Sequence, residues 1–100
     1  MKEINQLLKK NTRVWIYLAD DETIDLFLGE VEREGFRFED GEVPRKRRTD
    51  MYALHKCKIN TLYFIGHLAL QNQVKYIGTE RLEIVDYRKY VNGEDTYVLN

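Results

Sequence analysis

The stretch from Arg13 to Phe38 constrains this chain most. It runs R-V-W-I-Y-L-A, then D-D-E-T-I-D-L-F-L-G-E-V-E-R-E-G, then F-R-F, and predicts a strand, an amphipathic helix and a second strand. Val14, Ile16 and Leu18 alternate with Arg13, Trp15, Tyr17 and Ala19. Both sets are largely apolar, so this strand is expected inside a sheet, covered on at least part of both faces. Asp20 or Asp21 can cap the helix start, and Glu22 adds negative charge where the helix dipole favours it. Ile24, Phe27, Leu28 and Val31 follow at i, i+3, i+4 and i+7 and form one apolar stripe. Gly35 suits the left-handed residue that ends a helix. Gly29 is the misfit, costing about 1 kcal/mol against Ala in a helix interior; close approach of another backbone would account for it.

Around that unit the pattern is coarser. Ile4, Leu7 and Leu8 predict a short helix within residues 1–10, which must dock because it is marginal alone. Phe36 and Phe38 share one side of the second strand. Residues 39–50, E-D-G-E-V-P-R-K-R-R-T-D, read as a charged surface loop punctuated by Gly41 and Pro44. Strands are expected over 51–56, 59–65, 67–71, 74–77 and 81–87, with a turn at Asn72-Gln73. A helix across 66–73 competes, because Leu, Ala and Gln favour it. Asn92-Gly93 favours a type I′ turn, which would pair Tyr90 and Val91 with Thr96 to Val98. The apolar load of residues 88–100 predicts a docked tail, either on its own sheet or against a second copy of the chain in a homodimer.

These elements predict a small single α+β domain over residues 1–100: a mainly antiparallel sheet packed by one long amphipathic helix. Its expected core is Val14, Ile16, Leu18, Ile24, Phe27, Leu28, Val31, Phe36, Phe38, Leu62, Phe64, Leu82 and Ile84. Seven Tyr, four Phe and one Trp supply enough buried area to dispense with staples. The single cysteine, Cys57, excludes an internal disulfide framework. The longest apolar run, Leu62 to Ile65, is far short of a membrane span. The N-terminus does not resemble a signal peptide, so a cytoplasmic location is expected.

Net charge is −1, yet charge is segregated along the chain. Residues 20–42 carry ten acids against Arg33 and Arg37, whereas residues 44–58 carry Arg45, Lys46, Arg47, Arg48, Lys56 and Lys58 against Asp50. If folding keeps these blocks apart the surface is polarised; if it brings them together they cancel. Arg45, Lys46, Arg47 and Arg48, with Lys56 and Lys58, are the candidate binding residues. Arginine grips phosphate in bidentate fashion, and an acidic protein surface, an anionic small molecule or nucleic acid fits equally well. A solvated loop kept polar for solubility is the plainer reading. No aromatic cluster lies beside the loop to stack bases, and the overall acidity disfavours a dedicated DNA binder.

Catalytic constellations are not evident. Cys57 sits between Lys56 and Lys58, which favours a thiolate, and His55 shares its strand side. A nucleophile also needs an orienting group and an oxyanion pocket, and neither is visible. His55, Cys57 and His67 miss the spacing of a structural zinc site. The glycines stand singly, so phosphate-loop and dinucleotide fingerprints fail. The acids at 20–25 lack the pattern of a calcium loop. No cofactor or metal is expected, and the chain reads as a non-enzymatic protein.

The order of an acid-capped helix and G-F-R-F over Asp20 to Gly41, Y-A-L at Tyr52 to Leu54, and Tyr87 to Gly93 resembles small uncharacterised proteins of bacteriophages and other mobile genetic elements. That resemblance implies a protein that binds and blocks a bacterial host defence component, as anti-CRISPR proteins and sequesterers of defence signals do. The alternative is a nucleic-acid-binding accessory protein that uses loop 45–48.

Overall fold

The computed structural model describes residues 2–100. The fold is α+β. Strands β1 (Thr12–Tyr17), β2 (Met51–His55), β3 (Lys58–Thr61), β4 (Tyr76–Ile77) and β5 (Glu80–Asp86) form one sheet in the order β3-β2-β1-β5-β4. β1 is its centre. It pairs antiparallel with β2, placing Val14 opposite Leu54, and parallel with β5, placing Val14 opposite Glu83. The β2–β3 and β4–β5 pairs are antiparallel, so the sheet is mixed.

Helix α1 (Asp21–Arg33) starts where Asp20 accepts the Thr23 backbone N–H at 2.8 Å and the Thr23 hydroxyl at 2.7 Å. Those bonds hold the Asp20 carboxyl below its ordinary range. The helix ends through Gly35 at φ +90°, with the Phe36 N–H donating to the Val31 carbonyl at 2.9 Å. Its apolar stripe packs on Val14, Ile16, Leu18, Tyr52, Leu54, Ile59 and Val85. Phe27 anchors this core, stacked against Tyr52 and edge-on to Tyr87 at centroid distances of 5.5 and 5.2 Å. Gly29 faces open space, with nothing within 4 Å of where a Cβ would stand, so no backbone approach explains it.

The opposite face of the sheet has its own cover. Trp15, Met51, Leu82 and Ile84 pack there against helix α2 (Tyr63–Gln71). Two sequence expectations fail at this point. β3 keeps only residues 59–61 of the strand expected over 59–65, and the rest of it, with the strand expected over 67–71, is replaced by a helix that begins three residues before the competing helix expected over 66–73. α2 meets the sheet through its smallest residues, Gly66 and Ala69. Large apolar side chains therefore turn outward, and Phe64 is exposed instead of lying in the core while Leu62 is only half-buried. The other eleven expected core residues are all buried.

The segment expected as a second strand is reduced to one bridge, Arg37 beside Lys58, although Phe36 and Phe38 are both buried as a pair. The tail differs more. Residues Tyr87–Val91 form helix α3, capped by Asp86 accepting the Lys89 N–H. Asn92 has φ −77°, whereas a type I′ turn requires positive φ there. Gly93, at φ +78°, ends the helix instead, with the Glu94 N–H donating to the Lys89 carbonyl at 3.0 Å. Residues beyond it return to β5: Asp86 N–H donates to the Tyr97 carbonyl and Leu99 N–H to the Ile84 carbonyl, both at 2.8 Å.

At the other terminus Ile4–Leu7 is a single 3-10 turn whose Ile4 and Leu7 are buried. Tyr90 reaches it, its hydroxyl donating to the Glu3 carbonyl at 2.6 Å.

Candidate functional site

The basic run folds back onto the acidic helix. Pro44–Lys46 forms a 3-10 turn with Pro44 buried. The Arg45 backbone N–H donates to Glu32 at 2.8 Å, and its guanidinium lies 3.6 Å from the same carboxylate. Arg47 bonds to Asp40, lies 3.8 Å from Glu42 and covers the Phe38 ring at 4.4 Å. Arg48 reaches Asp25 at 2.5 Å and the Asp21 carbonyl at 3.1 Å. These contacts hold the Arg47 and Arg48 guanidiniums more strongly protonated than usual and the Asp40 carboxyl below its ordinary range. The Tyr52 hydroxyl fastens the loop from beneath, donating to the Arg47 carbonyl at 2.6 Å and accepting the Thr49 N–H at 3.0 Å. Of the two arrangements open to the charge blocks, the chain therefore adopts the one in which they neighbour each other. Among the described residues only Lys46 of this run has no carboxylate within 4 Å.

Lys56 and Lys58 lie elsewhere, at the β2–β3 turn. Lys56 is exposed with φ +54°, and Lys58 is half-buried at the bridge to Arg37. The length of β2 lies between them and Arg45–Arg48, so the six cations do not share one site. Cys57 is exposed between them, and no group of His, Cys, Asp or Glu able to hold a metal occurs among the described residues. His67 instead joins Asp50 at 2.9 Å and fixes α2 to the end of the charged loop.

The exposed surface of α2 was not singled out by sequence reasoning. Tyr63, Phe64, Ile65 and Leu68 are 59%, 71%, 63% and 43% exposed, and Tyr76 of β4 is 60% exposed. Few single-domain proteins leave such consecutive large apolar side chains in water without using them. The sequence signal was present in the all-apolar run L-Y-F-I, but it reads equally well as a buried strand. His67 is the only titratable side chain on the helix beyond Tyr63.

No protein-family model, curated protein or solved structure matches this chain. Among the described residues no helix is long and apolar enough to cross a membrane.

Proposed function

We propose that this chain is a non-enzymatic, cytoplasmic binding protein that docks a protein partner on the outer face of α2. One observation carries the reading: α2 spends its small residues, Gly66 and Ala69, on its own sheet and leaves Tyr63, Phe64 and Ile65 outside. Folding alone favours the reverse arrangement, because burying a large apolar side chain stabilises by about 1.5–3 kcal/mol. Aromatic anchors of this kind dominate protein–protein contacts. A phage-type inhibitor of a bacterial host defence component fits this mode of action, since stoichiometric blocking needs a contact face and no catalytic centre. The nucleic-acid reading is weaker, because Arg45, Arg47 and Arg48 are already matched to carboxylates.

The test compares tagged native chain with Phe64→Lys and Ile65→Asp, both at positions too exposed to unfold the domain. Native protein should retain one bacterial protein in equimolar amount from lysate, and each variant should lose it while melting at an unchanged temperature. Equal retention by all three, or retention of no equimolar protein, overturns the reading. A native chain that is dimeric in solution, with both variants monomeric, would assign the face to self-association instead.

A further inference from the structure

A second surface feature lies at the end of the sheet where β1 begins and β2 ends. Leu8 to Thr12, Leu54 to Lys56 and Glu80 line an open surface cavity of about 330 Å³. That volume falls within the range of small-ligand sites, about 300–1,000 Å³. Leu8 and Leu54 give it an apolar wall continuous with the α1-side core. Lys9, Lys10, His55 and Lys56 line the rest, with Asn11 and Thr12 between them.

The charge balance separates this cavity from the arginine loop. Glu80 is bonded to Arg13 at 2.9 Å, and Glu83 holds Lys9 at 3.2 Å. Lys10 and Lys56 have no carboxylate within 4 Å among the described residues. Two uncompensated ammonium groups thus border one concavity in a protein whose net charge is −1. Asn11 at φ +60° and Lys56 at φ +54° turn the chain at the two walls, Lys56 within the two-residue turn between β2 and β3.

We propose that this cavity binds a small organic phosphate, its dianion between Lys10 and Lys56 and its apolar part against Leu8 and Leu54. Lysine serves phosphate as a point charge, and a phosphate monoester carries about two negative charges at neutral pH, the number of cations left unmatched. The site is separate from the α2 face and does not depend on it.

Phenyl phosphate is the probe, titrated into isotopically labelled native protein and followed by amide chemical shifts. Saturable shifts centred on Lys10, Asn11, Thr12, His55 and Lys56 are expected, weakening as NaCl is raised. Lys10→Gln and Lys56→Gln should each reduce affinity by about tenfold, whereas Arg45→Gln, Arg48→Gln and Phe64→Lys should leave it unchanged. Benzoate, a monoanion with the same ring, should bind more weakly. The proposal is overturned if no shift saturates by about 10 mM, if shifts centre on residues 45–48, or if benzoate binds as well. It is equally overturned if both lysine variants, with native-like spectra, bind as the native chain does.

Discussion

The Glu34 carboxylate, just beyond the end of α1, accepts the Ile4 backbone N–H at 2.7 Å. It also accepts the Asn5 backbone and side-chain N–H groups at 2.8 and 2.7 Å, and its side chain is 3% exposed. A carboxylate at a helix C-terminus opposes the helix dipole; here it persists because it ties the N-terminal 3-10 turn to the body. Glu34→Ala should remove that tie at a cost of about 1–3 kcal/mol. Amide exchange at Ile4 and Asn5 should accelerate most, and exchange confined to other segments would contradict the role.

The same residue sets a pH dependence. Burial, reinforced by neighbouring Glu30, pushes the Glu34 carboxyl above 4.5, whereas hydrogen bonding to Arg33 pulls Glu30 below it. Between 4.5 and the raised value the folded chain holds a proton that the unfolded chain has released. Glu34 therefore contributes fully below 4.5, and the contribution is lost as pH rises through its folded value. Glu30 has the opposite sign: its contribution is present above 4.5 and lost as pH falls through its folded value. In urea titrations, the stability of native protein relative to Glu34→Gln should fall as pH rises from 4.5. A difference independent of pH would show that Glu34 has an ordinary pKa.

Two glycines in helices should respond in opposite senses. A methyl group at Gly66 would stand 2.8 Å from the Met51 sulfur, 3.0 Å from the Leu62 Cβ and 3.2 Å from the Met51 Cβ. Gly66→Ala should therefore cost about 1–3 kcal/mol through overpacking. Gly29 has open space around it, so Gly29→Ala should stabilise by about 0.5–1 kcal/mol through helix propensity. Thermal melts of the two variants distinguish these directions, and a stabilising Gly66→Ala would mean that α2 does not press on β2.

Tyr87 is fully buried, yet its hydroxyl has no hydrogen-bond partner among the described residues. Burial drives its ionisation far above the ordinary range. Its value to the fold is the ring edge against Phe27, which phenylalanine retains. Tyr87→Phe should leave stability within about 0.5 kcal/mol of native or raise it, since a buried unpaired polar group is a liability. A loss of several kcal/mol on chemical denaturation would show that the hydroxyl is bonded in solution.

The arginine loop should bind DNA only when its internal partners are removed. Asp21→Asn, Asp25→Asn, Glu32→Gln, Asp40→Asn and Glu42→Gln together remove the carboxylates that lie within 4 Å of Arg45, Arg47 and Arg48. Fluorescence anisotropy with a short duplex should then show salt-sensitive binding, as counterion release requires, where the native chain shows little. Steep salt-dependent binding by the native chain, abolished by replacing the three arginines with glutamine, would restore the loop as a nucleic-acid site.

What the sequence determined alone was local and periodic. The stripe Ile24, Phe27, Leu28 and Val31 has one helical face, and the doubly apolar alternation around Val14 and Trp15 suits only a central strand. Both needed no knowledge of distant residues. Tertiary structure decided the rest. Tyr63-Phe64-Ile65 favours a strand on composition, and only the fit of Gly66 and Ala69 against Met51 makes it a helix with its large side chains outward. Asn92-Gly93 supports a hairpin or a helix stop with the same left-handed glycine; the run back along β5 selects the stop. Arg48 meets Asp25, 23 residues away, and Lys10 and Lys56 line one cavity. Such pairings follow from the path of the chain, because charge acts over ångströms in space and carries no periodic signature along the sequence.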